Sequence, residues 1–282
     1  MMHISFAKFF VLAATSAVAA YSPLLYNTKH NHQCCWRKSS PLFAEKATGI
    51  TLKLAVDIQW GVAERADTAN TSERFTSPTS LDMVHRLRRD SDGVLVGRTT
   101  VQTDNPSLTV RRVAVPDTPP FVQPVRIVLD TLLSLKSRDY VIFNDGLETL
   151  VYHADSVDKK DVNEYTTNQT TCIGVPLVEG RLSISAIVQD MLSQRNLNHV
   201  MVEGGPSVAR SFLLNNLVDR VILVQAMEVM FQDPYPSGIT QEMFSELGLE
   251  CLGHVESGDG DVWQCWSRPG LPWPTDSLED WP

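Results

Sequence analysis

The sequence predicts an α/β fold: a mostly parallel central sheet flanked by helices, with an antiparallel hairpin at its C-terminal edge. Two observations carry that expectation. From Ile50 onward, short apolar runs alternate with segments of helical period, the order that wraps helices around a parallel sheet. Near the end, Gly258-Asp259-Gly260 is a turn signal, and the following Val262–Trp266 reads as a closing hairpin strand.

The elements follow in order. Thr51–Val56 reads as a strand, and residues 61–75, polar and rich in Ala, Thr, Asn and Ser, as a loop. Ser77-Pro78 opens a helix to about Asp90, with Ser as N-cap and Pro at the first helical position. Gly93–Val96 is a short buried strand, and Val125–Leu129 and Thr149–Tyr152 are two more. Val175 lies in a weaker fourth. Apolar residues 184, 187, 188, 191 and 192 form a helical stripe over Ser183–Arg195. His199–Val202 is a strand, Ser207–Asn215 a helix and Val218–Met227 a long strand. Pro116–Pro124 is a Pro-rich connector within the domain.

Residues 1–49 stand apart as a targeting presequence. Lys8, the apolar run Phe9–Ala20 and the small residues at 17–20 give the order of a signal peptide over about 1–20. The run is short for a membrane span, although a single N-terminal anchor helix is the alternative reading. Residues 21–49 hold Lys29, Arg37, Lys38, Ser39 and Ser40, and Glu45 is the first acidic residue, as in a transit peptide. Together the two parts resemble the bipartite presequence of plastid proteins; secretion or an endomembrane lumen is the alternative. The expected mature form has no membrane segment. Its domain runs from 50 to 268, and 269–282 is a tail containing Pro and Trp.

The 282 residues carry a net charge of −9, which gives nucleic-acid binding no support. Removing the five basic residues and one acidic residue of the presequence takes the charge to −13. The five cysteines form no C-x-x-C pair, so neither a disulfide framework nor a zinc site is expected, and no metal is called for.

Three segments invite chemistry. On the helix from Pro78, Leu81, Met83, Val84 and Leu87 share one arc, and Arg88 falls inside it. A guanidinium on an apolar face needs an anionic partner, either internal or a substrate phosphate. In Val94–Thr100 a strand ends in Gly97 and meets a helical turn, where amide groups can receive a phosphate; Asp104-Asn105-Pro106 beyond it is turn chemistry. Val202–Ser207 repeats the strand–glycine–helix step, as a pyrophosphate cradle or as a plain turn, and it is not a G-x-G-x-x-G fingerprint.

The motifs Thr51–Ala55, Thr76-Ser77-Pro78, Leu87-Arg88, Val96–Val101, Asp104–Arg111, Arg126–Asp130 and Val202–Pro206 occur in one order. Together they resemble the reductase domain of the riboflavin-specific deaminase/reductase family, over residues 50 to about 230. The resemblance implies a dihydrofolate-reductase-like fold, a homodimer, and hydride transfer from NADPH to 5-amino-6-(5-phosphoribosylamino)uracil. It implies that Arg88 and Arg111 hold the substrate phosphate. Ser72, the backbone at Leu108, and Glu203 would contact the rest of the substrate. Lys53 and Asp104 become the candidate catalytic residues. Val56, Thr100, Asp104 and Thr131 would line the NADPH site, and the run Gly205, Pro206, Ser207, Val208, Ala209, Arg210 and Ser211 would cradle its phosphates.

The family's pattern is broken at Trp60, at Arg74, at Met227 and near Gln232. Arg74 offers a cation for the cofactor's 2′-phosphate. The H-x-E and P-C-x-x-C ligands of the family's deaminase are missing, so deamination falls to another protein. Two other functions stay open: a related pteridine or diaminopyrimidine reductase, and a non-catalytic dimeric binding or scaffold protein.

Overall fold

The computed structural model describes residues 48–65, 75–117, 119–135 and 139–271. The presequence up to residue 47, Ser72, Arg74 and the tail from 272 lie outside the described residues. In chain order the elements are β1 (Gly49–Asp57), β2 (Gly61–Glu64), α1 (Pro78–Arg89), β3 (Gly93–Gly97), α2 (Arg98–Asp104), β4 (Val125–Leu129), β5 (Thr149–Ala154), α3 (Lys159–Tyr165), β6 (Thr170–Val175), β7 (Leu177–Val178) and β8 (Arg181–Leu182). There follow α4 (Ile184–Gln189), β9 (His199–Val202), α5 (Pro206–Leu214), β10 (Arg220–Ala226), β11 (Pro234–Pro236), α6 (Gln241–Glu246), β12 (Glu250–Glu256) and β13 (Asp261–Ser267).

The main sheet runs β12-β13-β10-β1-β9-β3-β4-β5-β6. From β10 to β6 every neighbour is parallel. β13 pairs antiparallel with β10 and β12 antiparallel with β13. The expected parallel sheet with an antiparallel C-terminal edge is therefore the fold observed.

Side-chain alternation along β1 divides the core. Ile50, Leu52, Leu54 and Val56 point to one face and pack with Ala209, Phe212 and Leu213 of α5 and Ile187 of α4. The opposite face carries Val94, Val96, Ile222 and Val224, covered by Met83, Val84 and Leu87 of α1 and by Trp263. Burying a side chain of this size stabilises the fold by about 1.5–3 kcal/mol. Both layers are needed, because parallel strands this apolar cannot face water.

Two expectations need correction. The segment expected as a loop over 61–75 begins instead with β2, Gly61–Glu64, which pairs with β11. The signal was absent because a four-residue strand has too little alternation and its partner lies far along the chain. α4 also stops earlier than its stripe suggested. It widens into a π-turn over Asp190–Gln194. There the Asp190 carboxylate accepts hydrogen bonds from the Tyr152 hydroxyl (2.7 Å) and the Arg195 guanidinium (2.8 Å).

Candidate active site

The connections from β3 and β9 leave in opposite directions: β3 leads through α2 to β4, and β9 leads through α5 to β10, beyond β1. Adjacent parallel strands that part this way open a crevice at their carboxyl ends, where open α/β sheets bind ligands. A cleft of about 1430 Å³ occupies that place. A drug-sized ligand needs ~300–1,000 Å³, so the cleft has room for two.

One wall is charged. α1 starts firmly: Ser77 accepts from the Ser80 amide, and the Asp261 carboxylate of β13 accepts from the Ser77 amide at 2.8 Å and from the Ser80 hydroxyl. The Trp263 indole also donates to Ser80 at 2.7 Å. The C-terminal hairpin thus fixes the helix that carries Arg88. Arg88 is 7% exposed and its fork closes on Glu203, with Nε to Oε2 at 2.9 Å and Nη2 to Oε1 at 2.7 Å. Its Nη1 donates to the Thr109 carbonyl at 3.2 Å.

Lys53 lines the same cleft from β1. Burial lowers its pKa; Glu203 opposes that shift and Arg88 adds to it, and the net direction is down. Burial disfavours ionised Glu203, but the charge and hydrogen bonds of Arg88, helped by Lys53 and His85, outweigh it, and the net direction is below the ordinary carboxylate value. The result is a desolvated carboxylate held ionised beside an amine that releases its proton more readily than usual.

Arg111 lines the cleft at the end of the Asp104–Arg111 segment. Its Nη1 donates to Ser107 Oγ at 2.7 Å and to Thr109 Oγ1 at 3.3 Å. The segment bends as its turn residues foretell: Asn105 caps α2 at φ 42° and its side chain accepts from the Val141 amide at 2.8 Å. Leu108, 2% exposed, takes φ 54°, a left-handed backbone that costs about 1–2 kcal/mol in a residue with a Cβ.

The other wall is built from small residues. Thr100, Thr131, Gly205, Pro206, Ser207, Val208 and Ser211 all line the cleft. Gly205 caps α5 without a side-chain hydrogen bond, so the helix N-terminus is open to an anion. A Cβ on Gly97 or Gly204 would strike Val208 at 2.7 or 2.8 Å, so both glycines serve the close packing of α5. A Cβ on Gly205 would meet only Thr100 Oγ1, at 3.7 Å, an ordinary contact. Its missing side chain leaves cleft space next to two hydroxyls and a helix N-terminus, a fit for a dinucleotide's phosphates.

The expected site residues mostly converge here: Lys53, Arg88, Asp104, Leu108, Arg111 and Glu203 share the cleft with the wall of small residues. Four expectations are corrected. Val56 is fully buried on the core face of β1, one residue out of phase with Lys53 and Ala55. Ala209 packs into the core with Phe212, on the sheet-facing side of α5. Arg210 does not line the cleft; it is exposed on α5. Arg88 has its carboxylate partner inside the protein, so its fork is not an open phosphate clamp.

Sequence reasoning missed His85, 3% exposed on the cleft wall, whose Nδ1 accepts from the Arg111 amide at 3.1 Å. Its signal was its position about 40° beyond Leu81 on the inward arc of the helix. Of the sites where the family's pattern breaks, Trp60 sits at φ 65° in the β1–β2 turn and packs on the core, while Met227 is exposed. Neither lines the cleft; Phe231 and Tyr235 do.

Residues 63–262 match the RibD C-terminal domain. The riboflavin biosynthesis protein RibD of Aquifex aeolicus is 33% identical over 181 residues, covering 64% of this chain and 47% of that protein. A 2,5-diamino-6-ribosylamino-4(3H)-pyrimidinone 5′-phosphate reductase of Methanothermobacter thermautotrophicus is 31% identical over 155 residues, covering 55% of this chain and 68% of that one. The fold is shared with Acinetobacter baumannii RibD, at a TM-score of 0.63 and 19% identity over 78% of this chain and 58% of that one. The chain spans about half the length of the RibD proteins it matches.

Proposed function

Since the chain belongs to the RibD C-terminal domain family, we propose that it is an NADPH-dependent reductase of riboflavin biosynthesis that converts 5-amino-6-(5-phosphoribosylamino)uracil to its ribitylamino form. The observation that carries this reading is the convergence, in one cleft, of a small-residue wall suited to a dinucleotide with the Lys53–Glu203–Arg88 group and Arg111.

When bound, NADPH supplies the two electrons as hydride for C1′ of the sugar. Thr100, Ser207, Ser211 and the N-terminus of α5 would hold its phosphates. Arg111 takes the sugar phosphate, its guanidinium aimed by Ser107 and Thr109. Glu203, kept ionised, accepts hydrogen bonds from the substrate's hydroxyl or N–H groups. Lys53 gives a proton to the ribose ring oxygen as the C1′–O bond breaks, which leaves an iminium carbon for hydride to attack. Its lowered pKa favours that transfer. Asp104, exposed on the cleft wall, is the weaker candidate for this step.

A second reading changes only the pyrimidine. The relative from Methanothermobacter is named for a diaminopyrimidinone in place of the uracil. Steady-state NADPH consumption with each pyrimidine decides between them. Turnover of the uracil at the higher kcat/KM supports the main reading, a preference for the diaminopyrimidinone supports the second, and binding without turnover of either supports a scaffold.

The presequence and the assembly belong to the same proposal: residues 1–49 direct the chain to a plastid, and two chains form a homodimer. A fluorescent protein carrying residues 1–49 should accumulate in plastids, and light scattering of the protein should give twice the chain mass.

A further inference from the structure

We infer that His85 is a positioning residue that sets the phosphate end of the cleft by holding the main chain of Arg111. The inference rests on the phosphate role given to Arg111 above. His85 lies on α1, one turn before Arg88, almost wholly buried. Its Nδ1 accepts the Arg111 amide at 3.1 Å, so the ring proton sits on Nε2. That acceptor is available only while the ring is neutral. Burial, with Arg88, Arg111 and Arg112 against the single opposing charge of Glu203, pushes its pKa down to about 4.

The bond has a specific consequence. Arg88 is closed on Glu203, which leaves the Asp104–Arg111 segment to bring a cation to the sugar phosphate. That segment contains left-handed Asn105 and Leu108 and forms no regular element from Asn105 to Arg111. His85 ties its far end to α1, and α1 is tied to β13 through Asp261 and Trp263. The chain Asp261–Ser80–α1–His85–Arg111 therefore carries rigidity from the C-terminal hairpin to the phosphate end.

The test uses ribose 5-phosphate, ribose and NADPH as separate probes in calorimetry of the full chain. His85→Leu removes the acceptor and keeps bulk. His85→Asn keeps an oxygen near the Nδ1 position, and His85→Gln moves it toward Nε2. Leu and Gln should weaken ribose 5-phosphate binding by about tenfold, Asn should restore it to within about threefold, and the NADPH affinity should hold in all three. Asn and Gln are compared with each other, so the result stands even where Leu fails to fold. Equal loss in Asn and Gln, no loss in Gln, or a wild type that binds ribose 5-phosphate no better than ribose would overturn the inference. The Asn–Gln contrast in a protein that reduces neither pyrimidine would uphold His85 and remove the reductase reading alone.

Discussion

The two walls of the cleft work by opposite means. The wall of β1, α1 and Glu203 holds charges that are locked to one another: Arg88 to Glu203, with Lys53 beside them. The wall between α2 and α5 works by absence, through Gly205, hydroxyls and an uncapped helix start. A charged wall fails when one member is removed, because its partner is left buried and unpaired. A wall of small residues fails when something is added.

The largest effect is expected on the charged wall. Lys53→Met should lower kcat by about 10²–10⁴-fold, the usual worth of a positioned proton donor, with NADPH affinity retained in direct titration. A Lys53→Met enzyme with unchanged kcat would move the donor to Asp104.

Arg88→Met should cost about 1–3 kcal/mol of stability in urea melts at neutral pH, since it takes the two hydrogen bonds from a half-buried carboxylate and leaves only Lys53 to balance its charge. The pH dependence has a definite sign. The folded pKa of Glu203 is depressed, so its contribution is present above the unfolded value of about 4.3 and is lost as pH falls through the folded pKa. The deficit of Arg88→Met should therefore shrink below about pH 4. A deficit constant with pH would mean that Arg88 acts through packing alone.

On the other wall, Gly205→Ala and Gly97→Ala should separate. Gly205→Ala adds a methyl only to cleft space, so it should weaken NADPH binding by about tenfold and leave stability within about 0.5 kcal/mol. Gly97→Ala drives its methyl into Val208 and should cost about 1–3 kcal/mol. Equal stability losses in the two variants would erase the distinction. The smallest effect is Ser77→Ala, about 1 kcal/mol for the lost N-cap, because Asp261 still holds the first turn.

Much of the sheet was legible because parallel strands buried on both faces are continuous apolar runs, and because the Ser77-Pro78 and Gly205-Pro206 starts are written in single residues. β2, β11 and the β7–β8 pair were not legible, since two to four residues carry no period and their pairings are tertiary. At the site, the arc of α1 flagged Arg88 as a charge needing a partner, but no local pattern says which carboxylate will answer. Glu203 follows a strand more than a hundred residues away. Val56 was misplaced by one residue, which in a strand is the difference between cleft and core. His85 stayed hidden because its role lies in a main-chain amide, and sequence shows side chains only.

The central claim is that hydride is delivered to the sugar carbon within this cleft. The most direct test incubates the protein with NADPH deuterated at the transferable position and the phosphoribosylaminopyrimidine, then reads the product by mass spectrometry and NMR. The account predicts one deuterium at C1′ of a ribityl chain, accumulating about 10²–10⁴-fold more slowly with Lys53→Met. A folded wild-type protein that binds both compounds and returns the ribosyl form without deuterium would contradict it.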